Sequence, residues 1–115
     1  MRVEHLTIEV IADAPAGVRI LRLSGPFVMQ SLFDFQSIAR ANPEPITILD
    51  LTAVPYMDSA ALGAVMGVHT SSQRLHRKYA VVGASERLRT LFEVAGVEKL
   101  LVVYPTAEDA LKGLQ

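Results

Sequence analysis

Apolar positions along this chain switch between a period of two and a period of about 3.6, and the switches divide it into short alternating elements. Leu6, Ile8 and Val10 alternate with Thr7 and Glu9, the pattern of a half-buried strand. Asp13-Ala14-Pro15-Ala16-Gly17 supplies turn residues, and Val18 to Leu23 reads as a second strand. The two predict a hairpin with a loop longer than the tight two-residue type. Gly25-Pro26 ends the second strand. Val28, Leu32, Phe35 and Ala39 then recur at helical spacing, with Ser31 and Asp34 near the start and Asn42-Pro43-Glu44-Pro45 as the stop. Ile46 to Leu51 is apolar-rich and of strand length, as expected of a central strand buried on both faces.

A long helix is expected from Asp58 or Ser59 to about Arg77, with Ala61, Val65, Val68 and Leu75 on one face. Tyr79 to Val82 reads as a short strand closed by Gly83. Ser85 is placed to cap the next helix, whose stripe is Leu88, Leu91, Phe92 and Ala95 and whose C′ residue is Gly96. Leu100 to Val103 completes the strands. Thr106-Ala107-Glu108-Asp109 has the form of a capping box before a last stripe of Ala107, Ala110, Leu111 and Leu114. The order β-β-α-β-α-β-α-β-α predicts one α/β domain over residues 1–115. Its sheet is mixed with a mainly parallel core, flanked by about four α-helices.

With 115 residues, half of them hydrophobic, the chain has enough material for one core without staples. The absence of Cys excludes disulfides, thiolate metal sites and a Cys nucleophile. Met1-Arg2-Val3-Glu4-His5 shows no apolar signal-peptide core and no run is long enough to cross a bilayer, so a soluble cytoplasmic protein without membrane insertion is expected. Eleven basic residues face twelve acidic ones, a balance that argues against a nucleic-acid binder. Arg74, Arg77 and Lys78 form the local basic cluster. They fall where cations suit a helix C-terminus, and a phosphate-contacting role is the sharper alternative.

The chemistry worth weighing gathers at Met57-Asp58-Ser59-Ala60-Ala61-Leu62-Gly63, after the apolar strand. In α/β sheets, functional sites collect outside the carboxyl ends of strands. A hydroxyl at a helix start lies beside unpaired N–H groups and a partial positive charge, so a phosphate on Ser59 would be stabilised there. Ser59 or Asp58 equally suits plain N-capping. His69 and His76 are seven apart rather than four, with no third ligand, so no metal site is expected. Gly63 and Gly67 form a small-residue pair inside a helix rather than a phosphate loop, and such spacing permits close packing against the sheet or a partner. Phe27, Val28, Met29, Leu32 and Phe33 make an apolar loop and helix start that divides between core and contact surface. No nucleophile–base pair, metal or cofactor motif stands out, and the chain does not read as an enzyme.

The segment Asp50-Leu51-Thr52-Ala53-Val54-Pro55-Tyr56-Met57-Asp58-Ser59-Ala60-Ala61-Leu62-Gly63 resembles the centre of the STAS domain, the sulfate transporter and anti-sigma factor antagonist family. Val82-Gly83-Ala84 before Leu88-Arg89-Thr90-Leu91-Phe92-Glu93-Val94-Ala95-Gly96-Val97 fits the same family, and the resemblance covers essentially the whole chain. It implies a regulatory binding protein of the anti-sigma factor antagonist type, phosphorylated at Ser59. The implied partners are a serine kinase that doubles as the anti-sigma factor and a PP2C-type phosphatase. The expected partner surface is Asp58, Ser59, Ala60 and Ala61 at the helix start, with Phe27, Val28 and Met29 of the apolar loop beside it. Two positions depart from the family pattern: Ala61 stands where Gly is usual, and Val28 where many antagonists carry Asp. The alternative within the family is an unphosphorylated scaffold, or a cytoplasmic accessory subunit of a signalling complex or of a lipid or solute transporter.

Overall fold

A computed structural model of the chain describes residues 5–41 and 43–114; the expectations for residues 1–4 and the part of Asn42 in stopping the first helix lie outside it. Strands β1 (Thr7–Val10) and β2 (Val18–Ser24) pair antiparallel, with Thr7 opposite Ser24 and Val10 opposite Leu21. A single 3-10 turn, Met29–Ser31, leads into α1 (Leu32–Arg40). Then follow β3 (Ile46–Ala53), α2 (Ser59–Arg74), β4 (Lys78–Val82), α3 (Glu86–Val94), β5 (Val103–Tyr104) and α4 (Ala107–Leu114). The sheet order is β1-β2-β3-β4-β5, and β2 to β5 run parallel.

This order fixes where the helices go. Each crossover from β2 to β5 advances one strand in the same direction, and right-handed crossovers then put their helices on one face. Phe35 of α1, Ala61, Leu62 and Val65 of α2, and Leu88 and Phe92 of α3 accordingly pack with Leu21, Leu23, Leu49, Leu51 and Val81. Helix α4, which follows β5, covers the other face, where Ala110 meets Val18, Ile48, Ala80 and Val82. Successive strand residues point to opposite faces, so Ile48 and Leu49, both 0% exposed, belong to different cores. The strand expected to be buried on both faces is therefore β3.

Most boundaries expected from the sequence hold, and four details differ. Helix α2 stops at Arg74 rather than near Arg77, because His76 turns left-handed (φ 56°) and closes the end. The Arg77 N–H donates to Ser72 O at 2.8 Å, the long bond of a Schellman closure. Leu75 is thereby thrown off the core face and is 46% exposed. The last strand is two residues long and starts at Val103; Leu100 is exposed, while Leu101 is buried. Val10, read as an inward position of β1, is 55% exposed at the edge of the sheet. Gly63 and Gly67 face open space instead of packing on the sheet, since a Cβ at either would meet nothing within 4 Å.

Caps behave as their residue types dictate. Ser85 Oγ accepts the Leu88 N–H at 3.2 Å, and Thr106 Oγ1 accepts the Asp109 N–H at 3.1 Å. Gly96 ends α3 with φ 75°. The C-terminus of α1 is closed from outside the helix by Arg19 of β2. Its Nη1 donates to Ile38 O and Ala41 O at 3.1 and 2.6 Å, and its Nη2 to Ala39 O and Thr47 Oγ1 at 2.9 and 3.1 Å. Burial lowers the Arg19 pKa from its ordinary value, a shift opposed by nearby Glu44 and reinforced by Arg77.

Candidate functional site

The site is built where β2 and β3 run out together. Past the strands their extensions stay paired: Gly25 N–H donates to Ala53 O at 3.0 Å and Phe27 N–H to Tyr56 O at 3.1 Å. A parallel bridge joins Phe27 and Met57, and Asp58 N–H returns to Phe27 O at 3.3 Å. Gly25 permits this turn, with φ +100°; a Cβ there would lie 2.8 Å from the His5 carbonyl oxygen. The preceding Asp50-Leu51-Thr52 shapes the strand end. Asp50 Oδ1 accepts both the Thr52 N–H (3.0 Å) and the Thr52 hydroxyl (2.6 Å), a local Asx turn. The Thr52 side chain in turn occupies the space that any Cβ on Gly83 would need.

Asp58 then joins the two loops. It is the N-cap of α2, and its Oδ1 accepts the Ala61 N–H at 2.8 Å. Its Oδ2 accepts the Met29 N–H at 2.9 Å. One carboxylate thus starts a helix and pins the 3-10 turn beside it. Ser59 is the first residue inside α2, exposed, and without the capping duty that the sequence left open between it and Asp58. The first turn of α2 holds no acidic residue, so its N-terminal charge is met by Asp58 alone.

Of the expected contact residues, the structure brings all seven to this corner but exposes them unequally. Ser59 is exposed and Met29 is 62% exposed, whereas Asp58, Ala60 and Val28 are half-buried. Two expectations are corrected. Phe27 is 0% exposed and stacks on Phe35 with ring centroids 4.8 Å apart, so its ring is core and presents nothing to a partner. Ala61 is also 0% exposed: at N3 its methyl turns onto the sheet beside Val65, so the departure from Gly there fills the core and the side chain is not on the contact surface. Phe33, by contrast, is 80% exposed and follows one turn after Met29. Tyr56, on the loop before Asp58, lies under the Arg87 guanidinium at 5.4 Å.

Sequence reasoning missed the Met29–Asp58 bond, because a backbone donor carries no residue signature. It also missed Arg19, whose partners are carbonyls 19 to 22 positions away. His69 proves to be a packing residue, with its Nδ1 2.7 Å from the Tyr79 hydroxyl. No cluster of three His, Asp or Glu able to hold a metal exists among the described residues.

The result is a parallel-cored α/β domain with an exposed serine at the start of a helix that the preceding aspartate caps. Residues 9–110 match the family model of the STAS domain, and the chain belongs to that family. It is 36% identical over 55 residues to the anti-sigma-B factor antagonist of Listeria monocytogenes, a match spanning 48% of each chain, so this alignment covers about half the relative's length. It is 25% identical to the anti-sigma F factor antagonist of Paenibacillus polymyxa, across 96% of this chain and 97% of the other. Among solved structures, an anti-sigma factor antagonist from Mycobacterium paratuberculosis superposes with a TM-score of 0.79 at 23% identity, covering 95% and 93% of the two chains. The STAS domain of a SulP transporter from Vibrio cholerae gives 0.69 at 28% identity, covering 90% and 84%.

Proposed function

We propose that the chain is an anti-sigma factor antagonist-like regulatory protein whose binding to a serine kinase/anti-sigma factor is switched by phosphorylation of Ser59, with a PP2C-type phosphatase reversing it. The observation that carries this reading is the division of labour at the helix start: Asp58 does the capping, which leaves the exposed Ser59 hydroxyl available for modification. Exposed Met29 and Phe33 supply an apolar contact next to it.

Magnitudes explain why such a switch acts on binding rather than on the fold. A phosphate at the first turn of a helix is favoured by about 0.3–1 kcal/mol, and the exposed site leaves it hydrated. Under a docked partner the same group, with a charge of about −1.5 to −2, loses its water at a cost of several kcal/mol unless it is paired. The domain stays folded while the complex dissociates. No step here asks the chain for catalysis; it offers a hydroxyl and a surface.

The test is incubation with ATP and the anti-sigma kinases of the source organism, read by intact mass and peptide position, with Ser59→Ala as control. One phosphate on Ser59, absent from the control, is expected. Ser59→Asp is expected to weaken partner binding at least about tenfold, or 1.4 kcal/mol, with an unchanged circular dichroism spectrum. Unaltered affinity of Ser59→Asp would refute the switch. Partner binding without phosphorylation by any kinase would move the reading to a scaffold or transporter-accessory domain, in line with the aliphatic Val28 at the contact corner.

A further inference from the structure

The opposite end of the sheet carries an arginine-lined groove that the Ser59 reading does not use. Arg19 and Thr47 are the second residues of β2 and β3, so they sit at the strand starts, whereas Ser59 follows the strand ends. There the C-terminal halves of α1 and α2 leave a groove of about 420 Å³, within the range of small-ligand sites. Arg19, Arg40, Arg74 and Arg77 line it, with Glu44 as the acidic residue of the wall. Phe35, Val68 and Leu75 give it an apolar side; Thr47, Ser71 and Ser72 add hydroxyls.

Three observations separate this groove from an ordinary solvated surface. Arg40, Arg74 and Arg77 are exposed and make no ion pair among the described residues; the pairs present there involve Arg22 and Lys112. Arg19 is only 9% exposed, and its buried Nε–H has no partner among the described residues. The charge also exceeds what the helix ends need. Each helix C-terminus carries about half a negative charge, so the two ends and Glu44 offset about two of the four arginines. A surplus of about two positive charges remains in a chain whose net charge is −1. A phosphate monoester at neutral pH carries about −1.5 to −2, and planar guanidinium forks match its oxygens.

We propose that this groove binds a small organic phosphate, with the phosphate held by Arg74 and Arg77 at the mouth above Arg19 and the organic part against Phe35, Val68 and Leu75. Lys78, the remaining cation of the local run, is engaged elsewhere, donating from Nζ to Leu114 O at 2.6 Å. Glu44 sets the selectivity: it repels a second anionic group, which favours a single phosphate over an extended polyanion. This site stands independently of Ser59 and of any kinase.

The experiment is a 15N-resolved NMR titration of the full chain with phenyl phosphate, inorganic phosphate and phenyl glucoside. Saturable shifts with phenyl phosphate are expected at the amides of Ala39, Arg40, Gly67, Val68 and Ser71, with inorganic phosphate weaker and the glucoside inert. Arg74→Gln/Arg77→Gln is expected to weaken phenyl phosphate at least about tenfold, the loss of one to two charged contacts. Both positions are exposed, so the variant keeps its fold, verified by its spectrum. Shifts that fail to saturate, that centre on Ser59, or that persist unchanged in the double variant would overturn the site. Equal affinity for inorganic phosphate would overturn the organic part. A sedimentation arm with phosphatidic acid vesicles separates the sources of phosphate: pelleting of the chain without phenyl phosphate binding overturns the soluble ligand, and phenyl phosphate binding without pelleting supports it.

Discussion

Replacing Asp58 tests whether one carboxylate holds the whole corner. Its Oδ1 caps α2 through the Ala61 N–H, and its Oδ2 receives the Met29 N–H. Loss of an N-cap costs about 1 kcal/mol. A hydrogen bond to a charged acceptor contributes about 1.5–3 kcal/mol, taken at the low end here because Asp58 is half-exposed and water replaces part of the loss. Asp58→Ala should therefore destabilise by about 2–3 kcal/mol, about 8–12 °C in Tm for a domain of this size. Asn caps as well as Asp but has one oxygen, and its amide would face the Met29 N–H donor to donor. Asp58→Asn should lose about 1–2 kcal/mol. Urea unfolding followed by far-ultraviolet circular dichroism measures both, since the chain has no Trp. Amide exchange separates the two bonds: Met29 loses protection in both variants, Ala61 only in Asp58→Ala. Unchanged Met29 protection in both, or a loss below about 0.5 kcal/mol for the Ala variant, the range of an ordinary surface change, would mean that the carboxylate does not hold the corner.

Arg19→Met removes the guanidinium donor from the Ile38, Ala39 and Ala41 carbonyls, of which Ile38 O keeps the Ala41 N–H, and should cost about 2–4 kcal/mol. Arg19→Lys recovers less than half of that in the same urea assay, since an ammonium lacks the fork. The Tyr79 hydroxyl is pushed above its ordinary pKa of 10.0 by burial, partly offset by the Val102 N–H that donates to it at 3.1 Å. The neutral phenol is the folded form, so its contribution is complete below pH 10 and lost as pH rises through the raised folded-state value; Tyr79→Phe, less stable at neutral pH, should show a shallower alkaline decline in Tm. Gly63→Ala should stabilise by about 0.5–1 kcal/mol, because the helix gains propensity and the methyl meets nothing; a destabilised variant in thermal melts would contradict the open space found there.

The parts of the fold legible in the sequence are those written in local pattern. The Leu88, Leu91, Phe92 stripe with Ser85 before it and Gly96 after it specifies α3 at both ends, and Ser85 does cap it. The Ile46 to Leu51 run identifies the central strand, since only a strand covered on both faces is apolar without alternation. What was illegible depends on distant partners or on unusual backbone. Nothing local marks His76 as the left-handed residue that ends α2, because Gly is the usual signal and His merely tolerates the conformation. Phe27 and Phe33 both look like members of an apolar loop. Only the continuation of the β2–β3 ladder past the strands turns the first into the core and leaves the second out. At the candidate site, the position of Ser59 at a helix start after a strand is legible in the sequence. The choice between Ser59 and Asp58 as cap needed φ and ψ, and Asp58 at −98° and 177° is the extended one.

The glycines of the chain divide by what they are required to do. Gly25 and Gly83 have positive φ and no room for a side chain, so the fold itself demands them. Gly63 and Gly67 sit in the interior of α2 with open space around each, and two such glycines cost the helix about 1–2 kcal/mol relative to alanine. Among the described residues nothing packs on either glycine to offset that loss. Spacing of four brings Ser59, Gly63 and Gly67, all exposed, and the half-buried Ser71 to neighbouring positions along α2. The strip begins at the candidate switch and ends at the arginine groove, which Gly67 and Ser71 line. The two glycines leave the backbone of α2 uncovered at that side, where a partner surface could approach it closely. Gly63→Ala then separates the two demands within one variant: a higher Tm with weaker partner binding assigns the glycine to the contact. A higher Tm with unchanged binding would place the docking face on Met29 and Phe33 alone.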